Sequence, residues 1–174
     1  MLITPEYQAQ QRQLHVERDD YGVASVQYAD LVTKVIDQTH CRTILDYGAG
    51  KGRLAQSIRP RLPVEVTIYD PGIPDLAEPA EGRFDLVCSI DVLEHIEPDC
   101  LDAVLDDIRD HTGFYAFLTV HTGPAAKTLP DGRNAHHIQQ PPNWWLRRFL
   151  DRWQARTMQV TPGGFYFVGS HGDQ

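Results

Sequence analysis

Glycines at every second position, Gly48, Gly50 and Gly52, follow a short apolar run, Thr43-Ile44-Leu45, and the acid Asp46. A turn of this composition can bend sharply after a strand, bring backbone amides against a ligand and let the next helix pack close. The spacing narrows the ligand. A dinucleotide fingerprint G-x-G-x-x-G needs a small residue at position 53, where this chain has Arg53, so a nicotinamide cofactor is disfavoured. Asp91, Glu94 and His95 stand together further along, and His121, His136 and His137 follow. Side chains of these types hold and move protons near neutral pH.

The elements that must position these groups follow from periodicity. Val26, Ala29, Leu31, Val32, Val35 and Ile36 predict a leading helix within 21–38. Residues 43–45 predict a strand, the glycine turn follows, and 54–59 predicts a helix stopped by Pro60. A β-branched run at 64–69, ending in Asp70-Pro71-Gly72, predicts a second strand paired with the first, and the prolines and glycines of 71–83 predict a loop. The apolar run at 84–90 predicts a strand buried on both faces. Leu101, Val104, Leu105 and Ile108 place an amphipathic helix over 98–109. A strand over 114–120, a polar loop over 121–142 and a helix from near Asn143 come next. Residues 157–160 and 165–168 then form a hairpin through Gly163-Gly164. Alternating strands and helices imply an α/β fold with a mostly parallel sheet, helices on both faces, and a ligand beyond the carboxyl ends of the strands.

Composition bounds the class of protein. With 174 residues, 41% of them hydrophobic and 23% charged, the chain is expected to be one globular domain. No apolar run approaches the ~20 residues that span a bilayer, and the Gln-rich segment 1–12 has no apolar signal core, so a cytoplasmic protein without a membrane partner is expected. Cys41, Cys88 and Cys100 form no close pair, which suits a reducing compartment and offers no cysteine zinc site. A net charge of -8 disfavours a protein that coats itself on duplex DNA. Nothing in the composition sets an oligomeric state.

The run Asp46-Tyr47-Gly48-Ala49-Gly50-Lys51-Gly52 resembles the cofactor loop of class I S-adenosylmethionine-dependent methyltransferases, and two further segments extend the resemblance. Asp70 stands where that superfamily places the acid that accepts the ribose hydroxyls. Residues 84–96, FDLVCSIDVLEHI, resemble its fourth-strand motif. The resemblance implies a Rossmann-like three-layer sandwich that binds S-adenosylmethionine through Asp46, Gly48, Gly50, Gly52, Asp70 and Asp91. Family members carry another helix and strand between the ribose acid and the fourth strand. Here only 71–83 intervenes, so a shortened sheet of six strands is expected, the third strand being absent. On this reading residues 1–40 are an N-terminal helical segment, 41–120 the cofactor-binding half, and 121–174 the acceptor-side loop, helix and hairpin.

The acceptor is less defined. Asp91-x-x-Glu94-His95 with a distant His resembles the metal ligands of small-RNA terminal 2′-O-methyltransferases, which would place Mg or Mn on Asp91, Glu94, His95 and His137 and direct methylation to a diol. Leu93-Glu94-His95 is equally at home in metal-free methyltransferases. His95 and His137 are the candidate catalytic bases. The acceptor could be a small molecule or an RNA end. Arginines among the tryptophans of 144–153 could clamp phosphates, or could decorate an amphipathic helix whose Trp145, Phe149 and Trp153 enter the core. Gln140-Pro141-Pro142-Asn143-Trp144 lies too late in the chain to be the motif of DNA amino-methylating enzymes. A non-catalytic cofactor-binding regulatory or partner subunit is the alternative to an enzyme.

Overall fold

A computed structural model describes residues 1–18 and 21–171. Six strands make one sheet: β1 (Thr43–Tyr47), β2 (Glu65–Tyr69), β3 (Phe84–Ile90), β4 (Thr112–His121), β5 (Gln154–Thr161) and β6 (Gly164–Ser170). Their spatial order is β2-β1-β3-β4-β6-β5. The first four run parallel; β6 is antiparallel to β4, and β5 to β6. The segment between β2 and β3 holds only a 3-10 turn at Pro74–Leu76, so β1 pairs directly with β3 and the superfamily's third strand is absent, as the sequence implied.

Alternation along the central strands divides the core in two. Ile44, Leu86, Cys88 and Phe117 face one side, where α2 (Ala29–Thr39) supplies Val32 and Ile36 and α3 (Arg53–Ser57) supplies Leu54. Leu45, Val87, Ala116 and Leu118 face the other. There α4 (Leu101–His111) contributes Val104, Leu105 and Ile108, and α5 (Pro142–Leu150) contributes Trp145 and Phe149. Burial on both faces explains why β3 reads as one apolar run. Trp145, Phe149 and Trp153 are all in this core, as the helical reading of 144–153 requires.

Two departures from the sequence reading lie near the N-terminus. The expected helix over 21–38 is a 3-10 turn at Ala24–Tyr28 followed by the shorter α2. Gly22, at φ +69°, turns the chain back onto the glycine loop, where its carbonyl accepts from Lys51 N at 3.2 Å, so the helix starts only after that contact. The second departure is an additional helix, α1 (Pro5–Glu17), with Thr4 Oγ1 accepting from Tyr7 N and a proline in its first turn. It buries Tyr7, Gln11 and Leu14 without an apolar stripe, and so left no periodicity to read. No helix among the described residues is long and apolar enough to cross a membrane.

Candidate functional site

A cavity of about 380 Å³ opens at the carboxyl ends of β1 to β4, where an open α/β sheet is expected to bind its ligand. Gly48, Gly50, Asp70 and Asp91 line it, whereas Asp46 and Gly52 do not. The glycine turn is built by contact as much as by conformation. A Cβ on Gly48 would stand 2.5 Å from Val92 Cγ2, and one on Gly50 would stand 2.4 Å from the Gly22 carbonyl oxygen, with φ at +76° and +53°. Neither position admits a side chain without moving its neighbour.

Asp70 braces this turn. Its Oδ2 accepts from Gly50 N and its Oδ1 from Gly72 N, both at 2.8 Å, and the residue is 8% exposed. Each carboxylate oxygen keeps lone-pair capacity for a further donor from the cavity. Asp46 lies behind the turn, 1% exposed, with Oδ2 lacking a partner. Burial, and then the charge of Asp70, push its carboxyl up to about 7.

Beyond β3 the backbone gathers a second set of groups. Asp91 takes a left-handed conformation, φ +59°, that Asp tolerates better than most residues, and its N–H donates to Thr119 Oγ1 at 3.0 Å. Glu94 is fully buried; Oε1 accepts from His121 N at 2.5 Å while Oε2 has no partner. Burial and the neighbouring Asp91 hold its carboxyl well above the usual carboxylate range. One ligand atom from each of Asp91, Glu94 and His136 falls within 4.8 Å of the others.

The histidine of that group is His136, where the sequence reading had placed His137. Ile138 N donates to Glu94 O at 3.0 Å, and His136 N donates to Asn134 Oδ1 at 2.9 Å, which fixes the loop. His136 then turns inward with Nδ1 2.7 Å from the Gly123 carbonyl, leaving Nε2 its lone pair. His137 turns away, packs its ring 4.8 Å from that of Tyr7 and lines no part of the cavity. His95 lines the cavity but stands outside the three-residue group, its ring edge-on to His136 at 4.7 Å. Its Nδ1 lies 2.8 Å from the Ala135 carbonyl, which assigns the proton to Nδ1 and leaves Nε2 as an acceptor. Burial pushes the His95 imidazole down to about 4, so the ring is neutral near pH 7.

The remaining wall comes from residues the sequence reading did not assign to the site. Tyr7, Gln11 and His15 of α1, with Tyr21, face the cavity. Thr4-Pro5-Glu6, a capping residue followed by proline and an acid, was the signal that a helix starts there. Of the two readings of the arginines, the phosphate clamp is not brought to the cavity. Arg148 stacks 3.5 Å over Trp144, Arg152 pairs with Asp102 and Asp106, and Arg133 pairs with Asp131.

The fold, the glycine turn and the acid after β2 together define a class I S-adenosylmethionine-dependent methyltransferase. A family model for the methyltransferase domain matches residues 22–159, and the chain belongs to that family. Solved structures agree on the fold. The complex of DhpI with SAH superimposes with a TM-score of 0.68 at 17% identity, covering 97% of both chains. The 1,6-didemethyltoxoflavin-N1-methyltransferase of Burkholderia thailandensis gives 0.66 at 19% identity, over 99% of this chain and 92% of that one. An O-methyltransferase family protein from Burkholderia thailandensis gives 0.67 at 15% identity, with 95% of this chain spanning 64% of that one. No curated protein matches the chain by sequence.

Proposed function

We propose that this protein methylates a hydroxyl oxygen of a small molecule, with S-adenosylmethionine as donor and a divalent cation, Mg or Mn, held by Asp91, Glu94 and His136. The observation that carries the reading is one cavity that Gly48, Gly50 and Asp70 line together with Asp91 and His136, two members of that group, with the third, Glu94, fully buried beside them. The residues fit both absent groups. Gly48 and Gly50 bring backbone to the cavity wall, and Asp70 beside them keeps lone pairs for a further donor. Glu94 Oε2 is a buried oxygen with no partner, and two carboxylates with an imidazole form a donor set for a hard cation.

S-adenosylmethionine supplies an electrophilic methyl: as the acceptor oxygen bonds to it, the methyl–sulfur bond breaks and its electron pair stays on sulfur, giving S-adenosylhomocysteine. A cation at the carboxylates would lower the pKa of a hydroxyl bound to it. The chain's own part is alignment and proton removal. Gly48, Gly50 and Asp70 hold the donor. His95, with Nδ1 tied to the Ala135 carbonyl, offers Nε2 to take the acceptor's proton. Small-molecule acceptors suit the partly closed cavity and the internally paired arginines better than an RNA end does. The similar proteins described as an O-methyltransferase family member and an N1-methyltransferase support a small acceptor. A non-catalytic subunit has no support in the family assignment.

The test is transfer of labelled methyl from S-adenosylmethionine across metabolite and RNA extracts, with and without EDTA. The expected result is labelled small-molecule product whose formation falls at least tenfold with EDTA, returns with Mg or Mn, and is lost in Glu94→Gln. Chelator-insensitive turnover would remove the cation from the account, and label confined to RNA would replace the acceptor class.

A further inference from the structure

We infer that α1 supplies nucleoside contacts, with Gln11 and His15 hydrogen-bonding the adenosyl half of the cofactor. The inference rests on the cofactor reading above and adds ligand contacts that neither the glycine turn nor Asp70 provides.

No strand forms within 71–83, and that segment reaches the cavity only through Pro71 and Gly72. Beside them, α1 is laid across the strand ends by specific bonds. Gln8 Nε2 donates to the Pro71 carbonyl at 2.9 Å, and Tyr7 Oη donates to the His95 carbonyl at 2.8 Å. Thr4 donates through N and Oγ1 to the Glu97 carboxylate at 2.9 and 2.8 Å. These contacts bring Gln11 and His15 onto Gly72, where an added Cβ would meet Gln11 Cβ at 3.0 Å, Asp70 Oδ1 at 3.1 Å and His15 Cδ2 at 3.3 Å. Both side chains therefore stand beside the acid assigned to the ribose.

Their free atoms point to a ligand. Gln11 is 9% exposed and lines the cavity; its Oε1 accepts from Tyr21 Oη at 2.8 Å, and its Nε2 amide is buried without a partner. His15 Nδ1 is likewise buried without a partner. A buried polar atom left unpaired is costly, and native sites hold such atoms for a ligand or ordered water. Adenine offers ring-nitrogen acceptors and an amino donor, and the ribose offers two hydroxyls. An amide donor and an imidazole nitrogen beside Asp70 match that set.

The test is calorimetric titration of wild type, Gln11→Met, His15→Leu and Tyr21→Phe with S-adenosylhomocysteine and with 5′-methylthioadenosine, which lacks the amino-acid half. Met keeps the volume of Gln11 without its amide, and thermal melting without ligand shows that each variant is folded. Tyr21→Phe leaves Gln11 in place but removes the hydroxyl that orients it. Losing one of these bonds should weaken binding about tenfold, by the same factor for both ligands, in Gln11→Met and His15→Leu, with a smaller loss in Tyr21→Phe. Affinity within twofold of wild type for both ligands, or a loss seen only with S-adenosylhomocysteine, overturns the inference. Failure of the wild type to bind either ligand overturns the cofactor reading and this inference with it.

Discussion

Asp46 and Asp70 are both acids at strand ends, yet their surroundings assign them different work. Asp70 has two backbone donors and faces the cavity, whereas Asp46 is buried behind the turn with an oxygen unmatched. Because the folded carboxyl of Asp46 is raised to about 7, the folded state binds a proton more tightly than the unfolded chain does. Its contribution to stability is complete below pH ~4 and is lost as pH rises toward 7, up to about 4 kcal/mol in all. Denaturant unfolding without cofactor should show wild type losing stability relative to Asp46→Asn between pH 4 and 7; parallel pH profiles would refute this. At this scale the sequence revealed much. The glycines were singled out by their spacing, and Asp70, Asp91 and Glu94 by the family resemblance. His136 was not separable from His137, because which of two adjacent side chains turns inward depends on bonds from Asn134 and Glu94 that only the folded loop makes.

At the scale of elements, β1, β3, β4 and α4 were legible because each buries a full face or stripe, and burial imposes its period on the sequence, while the half-buried edge strand β2 was legible from its β-branched run. The absence of the third strand was legible too, from the proline and glycine content of 71–83. The helix α1 was not, since its buried residues include Gln11 and its function is to cover polar strand ends. The 3-10 turn at Ala24–Tyr28 has the same origin: residues beside it pack on the glycine turn, and that contact overrides an otherwise helical spacing. Gly50 joins these elements. In Gly50→Ala the new methyl would meet the Gly22 carbonyl while the backbone stays at positive φ. The expected cost is about 1–3 kcal/mol of stability, with at least a tenfold loss of cofactor affinity. Equal melting temperatures and equal affinity for Gly50→Ala and wild type would show that the two segments do not depend on each other.

Over the whole molecule, the sheet divides the labour. Its two faces carry the apolar core, and the carboxyl ends of its parallel strands carry the glycine turn, Asp70 and Asp91, to which α1 adds Gln11 and His15 and the loop after β4 adds His136. Charge and composition set none of this; the order of elements does, since it brings 46–52, 70 and 91–95 to one edge despite their separation in sequence. The antiparallel β5–β6 pair closes the sheet on the far side, and Arg148 of α5 stacks on Trp144 of the same helix. The central claim is that this edge binds S-adenosylmethionine through the glycine turn and Asp70. Calorimetric titration of wild type and Asp70→Ala with S-adenosylhomocysteine, and of wild type with NAD, tests it most directly. Saturable binding of S-adenosylhomocysteine, weakened at least tenfold in a folded Asp70→Ala variant, with no heat from NAD, is the predicted result; binding of NAD alone, or affinity unchanged by the loss of Asp70, would contradict it.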